Sequence, residues 1–205
     1  MSEIIYRFVK DVDVKEKFDE ICKELISEHG LKEIFSLKQI HSDIIFVNES
    51  GEGDGIVITK PLTAAMVRTA DCFSIVLKDK TAGISGVFHS GWKGTLLGIS
   101  KKGAKMMKSM GCGSIDAVIL PGIEQCCFEI GAELVEDFEN SGIVVQIRNG
   151  RCFADLKEHI IKGLEQEGVE NIKDMSSCTF CTPGYFSHRK NRTEKRHGTF
   201  VINLS

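Results

Sequence analysis

Two short passages carry most of the information in this chain: Arg68-Thr69-Ala70-Asp71-Cys72 and His89-Ser90-Gly91-Trp92-Lys93-Gly94. Between them lie two strand-like runs, Phe73–Leu77 and Ile84–Phe88, separated by a turn over Lys78–Ala82. If these runs form a hairpin centred on Lys80-Thr81, Cys72 and His89 stand opposite each other. Cross-strand partners have Cβ atoms roughly 4.5–5.5 Å apart on one face. A thiolate and an imidazole so placed can share a metal or act as a nucleophile and its base. The register is decisive, because a slip of one residue turns the pair to opposite faces. Glycines at 91 and 94 let the backbone approach a ligand closely. Lys93 adds positive charge where a helix opens, and free N–H groups at a helix start favour anions.

Working outward, residues 15–29 read as an amphipathic helix, with Phe18, Ile21, Cys22, Leu25 and Ile26 at helical spacing and Gly30 as a stop. Strand-like runs follow at 32–40, 44–48, 55–59 and 64–68. Further helices are expected at 94–110, 131–139 and 154–167, and further strands at 117–120, 143–147 and 199–204. Strands and helices alternate without a strict rhythm. That pattern predicts an α+β protein of mixed β-sheets with covering helices.

Composition bounds the function. The chain has 205 residues, 42% hydrophobic and 27% charged, with a formal net charge of −3. This is a globular chain long enough for a real core, and a single domain over 1–205 is expected. The basic residues Arg189, Lys190, Arg192, Lys195 and Arg196 crowd together. The overall acidity argues against a nucleic-acid partner, and a charge run is usually a solvated loop. The longest apolar runs are far shorter than the roughly 20 residues of a membrane helix, and the first residues lack a signal-peptide core. A cytoplasmic protein without membrane contact is expected.

Eight cysteines are many for a reducing compartment, where they read as free thiols, metal ligands or catalytic thiolates. Cys72 and His89 need a third zinc ligand, and His41, at a strand junction, is the candidate. A lone histidine is more often a hydrogen-bonded core residue, but two metal-type residues facing each other beside a glycine-rich turn favour a site. Cys178-Thr179-Phe180-Cys181 could join Cys126 or Cys127 in a structural zinc site, although one Cys-x-x-Cys without a matching second is weak evidence.

Further motifs carry a family resemblance. Gln39-Ile40-His41-Ser42 resembles Gln-Val-His-Gly, and Asp54-Gly55-Ile56-Val57-Ile58-Thr59 resembles Asp-Ala-Leu-Val-Thr. Thr-Ala-Asp-Cys is intact at Thr69–Cys72, and His89–Gly94 is similar to His-Ala-Gly-Trp-Arg-Gly. Pro121-Gly122-Ile123 with Cys127-Phe128-Glu129-Ile130-Gly131, and Cys178-Thr179 with Tyr185-Phe186-Ser187-His188-Arg189, complete the series in order over 39–189. The chain thus resembles bacterial multicopper polyphenol oxidoreductases, or laccase-domain proteins, a group linked to purine nucleoside phosphorylase activity and to peptidoglycan editing.

The resemblance implies a sandwich of sheets flanked by helices, with a cleft and a zinc site of His41, Cys72 and His89. It also implies phosphorolysis of adenosine, inosine, guanosine and methylthioadenosine, with adenosine deamination as a second activity. Nucleoside and phosphate are then the small-molecule partners. Arg68 or Arg189, with Lys93, is expected to hold phosphate, and Asp71 or Glu129 to shuttle protons. Copper can be held by the same soft ligands, which is the older oxidase reading. A metal-free Cys72–His89 hydrolase dyad is the third. Lys93 stands where the family has arginine, Glu124-Gln125 replaces Gly-Pro, and His188 replaces tyrosine. Two-pronged anion recognition is lost at 93.

Overall fold

The computed structural model describes residues 2–205. In chain order its strands are β1 (Ile4–Val9), β2 (Glu33–Lys38), β3 (Ile45–Val47), β4 (Gly51–Glu52), β5 (Gly55–Ile58), β6 (Thr63–Thr69), β7 (Phe73–Asp79), β8 (Ile84–Ser90), β9 (Asp116–Ile119), β10 (Glu129–Ile130), β11 (Val145–Arg148), β12 (Arg151–Ala154), β13 (Asn171–Asp174) and β14 (His197–Asn203). The helices are α1 (Phe18–His29), α2 (Trp92–Leu96), α3 (Ile99–Ser109), α4 (Val135–Asn140), α5 (Leu156–Gln166) and α6 (His188–Asn191).

A five-stranded sheet in the order β1-β14-β6-β2-β4 packs on a six-stranded sheet in the order β13-β9-β7-β8-β5-β3. Both are mixed: β2 is parallel to β6 and β13 to β9, and the other long pairs are antiparallel. Side chains alternate along each strand with period two. On β6, Ala65 and Val67 enter the core between the sheets, with Val76 of β7 and Val87 of β8 facing them. Ala64 and Met66 point the other way, against Leu25 of α1. On β7, Phe73, Ile75 and Leu77 face outward beneath Met107 of α3 and Leu164 of α5. The sandwich is therefore covered by helices on both outer faces, as expected for an α+β protein. Among the described residues no helix is long and apolar enough to cross a membrane.

Three expectations are corrected. The helix expected over 94–110 is split at Gly98, whose φ of 73° is left-handed, leaving α2 with five residues. β1 and β13 form where no element was expected; each is a sheet edge completed by tertiary pairing. The hairpin register also differs. Ser74, not Cys72, stands opposite His89. The strands run on to Asp79↔Ile84, so the loop is Lys80–Gly83. The Asp79 carboxylate accepts the N–H groups of Thr81 and Ala82 at 2.8 and 3.0 Å, and Gly83 closes the loop at φ 70°. This moves the turn centre by one residue and carries Cys72 toward Gly91 while keeping its face.

Candidate metal centre and cavity

His41, Cys72 and His89 come from three separate segments, yet one ligand atom from each lies within 4.8 Å of the others. The His41 and His89 rings meet edge to face with centroids 4.9 Å apart, and Cys72 Sγ is 3.9 Å from His41 Nε2. Gly91 makes room for this meeting. A Cβ there would lie 2.9 Å from His41 Cδ2 and 3.0 Å from Cys72 Sγ.

One buried carboxylate, Asp54 at the entry to β5, organises two of the three. Its Oδ1 accepts from His89 Nδ1 at 2.7 Å and from the His41 N–H at 3.1 Å. Its Oδ2 accepts from the Ser42 N–H and hydroxyl at 2.6 and 2.7 Å. His41 has a φ of 60°, uncommon for a residue with a side chain, and this ring of bonds holds it there. With Nδ1 engaged by Asp54, Nε2 of His89 is left to face the group. Burial opposes ionisation of Asp54, but His89 and Ser42 outweigh it and hold the carboxyl at about 2. Burial likewise opposes charge on Cys72 and His89. Their mutual attraction, with His41 acting on the thiol and Asp54 on the ring, brings Cys72 down to about 6 and His89 up to about 9.

Asp71 sits at φ 89°, the bend between β6 and β7 that aims Cys72. Its Oδ1 accepts from the Thr179 hydroxyl at 2.7 Å and its Oδ2 from the Arg189 N–H at 2.6 Å. Asp71 thus ties the strand bend to the C-terminal segment.

The three side chains line a cavity of about 500 Å³. Arg68, Asp71, His188 and Arg189 line it too, as do Trp92 and Phe128. Arg68 donates one N–H to Leu37 O at 2.9 Å, and Arg189 one to Glu129 O at 2.8 Å. Each arginine is thereby steadied through one arm. Lys93 is absent from the wall; its ammonium lies 5.4 Å from the Trp92 ring centre. Glu129 is also off the wall, with its carboxylate paired to Arg151. Sequence reasoning missed Arg196 and Lys15, which also line the cavity, and gave Asp54 no role although its motif was legible. Lys15 has no local signal; it is brought in because Val14 bonds the Arg196 carbonyl and Asp13 the Arg196 N–H.

The donor set fits a metal. Two imidazoles and one thiolate, one ring oriented by a carboxylate, and a side open to a cavity match a three-ligand site with a free position.

Comparison with known proteins agrees in scale. A purine nucleoside phosphorylase of Clostridium acetobutylicum is 36% identical, over 94% of this chain and 86% of that protein. One from Aquifex aeolicus is 32% identical over 85% of each chain. The crystal structure of a hypothetical protein of Bacillus licheniformis superposes with a TM-score of 0.77 at 25% identity, covering 89% of this chain and 79% of that one. A sequence profile described as multi-copper polyphenol oxidoreductase laccase matches residues 9–203. The chain belongs to that family.

Proposed function

We propose that this chain is a zinc-dependent purine nucleoside phosphorylase acting on adenosine, inosine, guanosine and methylthioadenosine. The observation that carries the reading is the meeting, in one cavity, of the His41–Cys72–His89 group with the guanidinium groups of Arg68 and Arg189. Relatives named for this activity add support. In phosphorolysis a phosphate oxygen bonds to the ribosyl anomeric carbon as its bond to the purine nitrogen breaks. The electron pair leaves with the purine, which takes up a proton, and ribose 1-phosphate is the second product. The chain's task is to hold a dianion against a neutral nucleoside in the correct order. Arg68 and Arg189, each steadied by a backbone carbonyl, keep N–H groups for the phosphate oxygens. Trp92 and Phe128 offer flat apolar wall for the base. His41, Cys72 and His89 would hold the zinc ion, which would supply Lewis acidity to the cavity.

Adenosine deamination extends the same reading. It needs a carboxylate to move protons at the cavity, and Asp71 is the one acidic residue on the wall among the described residues. Both its oxygens already accept hydrogen bonds, so deamination is the slower activity in this account. A multicopper oxidase reading is less favoured. The two candidate metal groups among the described residues contain two histidines between them.

The test is a nucleoside panel with and without phosphate, using protein of known metal content. Phosphate-dependent base release supports the proposal. Ammonia release without phosphate marks deamination. Turnover that survives complete metal removal overturns the zinc reading and favours Cys72 and His89 as a nucleophile and base.

A further inference from the structure

A second group of sulfurs lies apart from the trio. Cys126 and Cys127 sit in the loop between β9 and β10, and Cys178 and Cys181 between β13 and α6. The two segments meet through a backbone bridge between Gly122 and Cys178, and the Thr179 N–H donates to Gly122 O at 3.0 Å. The four Sγ atoms all lie within 4.8 Å of one another, and Cys126 and Cys181 are 3.9 Å apart. All four cysteines are free. We propose that Cys126, Cys127, Cys178 and Cys181 hold a structural zinc ion that fastens the cavity-wall loop to the C-terminal segment.

Distance separates this from a disulfide. Sulfurs at the corners of a zinc tetrahedron with bonds of about 2.3 Å lie about 3.8 Å apart. A disulfide needs about 2.05 Å. Burial separates it from ordinary packing. Cys178 is buried, but Cys126 and Cys181 are exposed, and exposed thiols do not converge to fill a core. The surroundings suit an anionic cluster. The backbone N–H groups of Glu124, Phe180 and Cys181 face the Cys178 sulfur. Arg148 donates to the carbonyls of Gln125 and Cys126 at 2.8 and 3.2 Å, which brings positive charge to the same loop. Loading the metal releases the thiol protons to solvent.

The location gives the ion a role. Residues 121–131 carry Ile123 and Phe128 to the cavity wall, and residues 178–189 carry His188 and Arg189. Thr179, next to Cys178, bonds Asp71 beside Cys72. An ion here fixes one side of the cavity against the other without touching the nucleoside.

The test is zinc content by mass spectrometry in wild type, in a His41→Ala/His89→Ala double variant, and in that variant carrying Cys181→Ser. The double variant is expected to keep one zinc per chain, and adding Cys181→Ser to remove it. Cys181 is exposed, so this change spares the core that Cys178→Ser would disturb. Cobalt loaded into the double variant is expected to show strong thiolate-to-cobalt charge transfer. A double variant free of zinc, or a cobalt spectrum without thiolate bands, overturns the proposal. So does protein kept reduced throughout whose intact mass is lowered by two hydrogens from a Cys126–Cys181 bond. None of these outcomes depends on phosphorolysis, so this proposal can fail while the function stands, and the reverse.

Discussion

Two groups of soft ligands stand on opposite supports. The His41–Cys72–His89 group is built at strand ends, where β5, β6, β7 and β8 are hydrogen-bonded into the sandwich and Asp54 fixes the rings. The four cysteines are built on two loops that meet through few backbone bonds. The first group opens on a cavity and mixes nitrogen with sulfur; the second is all sulfur and faces no substrate wall. Preorganised support with a vacant side is what catalysis asks of a metal centre, and a closed sulfur cage is what architecture asks. The difference teaches that a protein can use the same element of chemistry twice when the scaffold under each use differs.

The sharpest way to break this contrast is to remove a ligand from the trio. His89→Ala is expected to abolish nucleoside turnover while zinc at the cysteine group stays, read by metal analysis beside the activity assay. Asp54→Asn is next. It keeps the shape but removes the charge that orients His89, and about a 10–100-fold loss of metal affinity is expected in competition with a chelator. Gly91→Ala follows. Its methyl would meet His41 and Cys72 at about 3 Å, so metal affinity and kcat are expected to fall with the thermal midpoint nearly unchanged.

Smallest is Asp79→Asn, which probes the hairpin beneath Cys72. Asp79 is buried and accepts from four backbone N–H groups, those of Thr81, Ala82, Gly113 and Ser114. Burial opposes the charge, yet these donors lower its pKa. A lowered folded value means the stabilisation is complete above the unfolded pKa near 3.8 and is lost as pH falls through the folded one. The substitution is expected to cost about 2 kcal/mol at neutral pH and to flatten the acid limb of stability, by denaturant titration across pH.

Much of this was legible in the residues. β6, β7 and β8 declared themselves as short apolar runs bounded by turns, and the trio by residue type and motif. What failed was local. The loop after β7 depends on an Asp79 side chain bonding forward and on Gly83 turning left-handed, and neither shows in hydrophobic pattern. The partner of Cys72 was therefore misplaced by two positions, from His89 to Gly91, and an even shift keeps the face. Glu129 looked available because Arg151 lies 22 residues on and only the antiparallel pairing of β10 with β12 brings it back. Arg196, read only as a member of a solvated basic run, lines the cavity because Asp13 holds its backbone, as Asp71 holds that of Arg189, the phosphate candidate.

In the proposed function the trio and the two arginines act together on a nucleoside and phosphate. The most direct test is hypoxanthine release from inosine by metal-analysed wild type and Cys72→Ala, each with and without phosphate. The account predicts release by wild type only when phosphate is present, with ribose 1-phosphate in equal amount, and none by Cys72→Ala. Release that ignores phosphate, or that continues undiminished in Cys72→Ala, would contradict it.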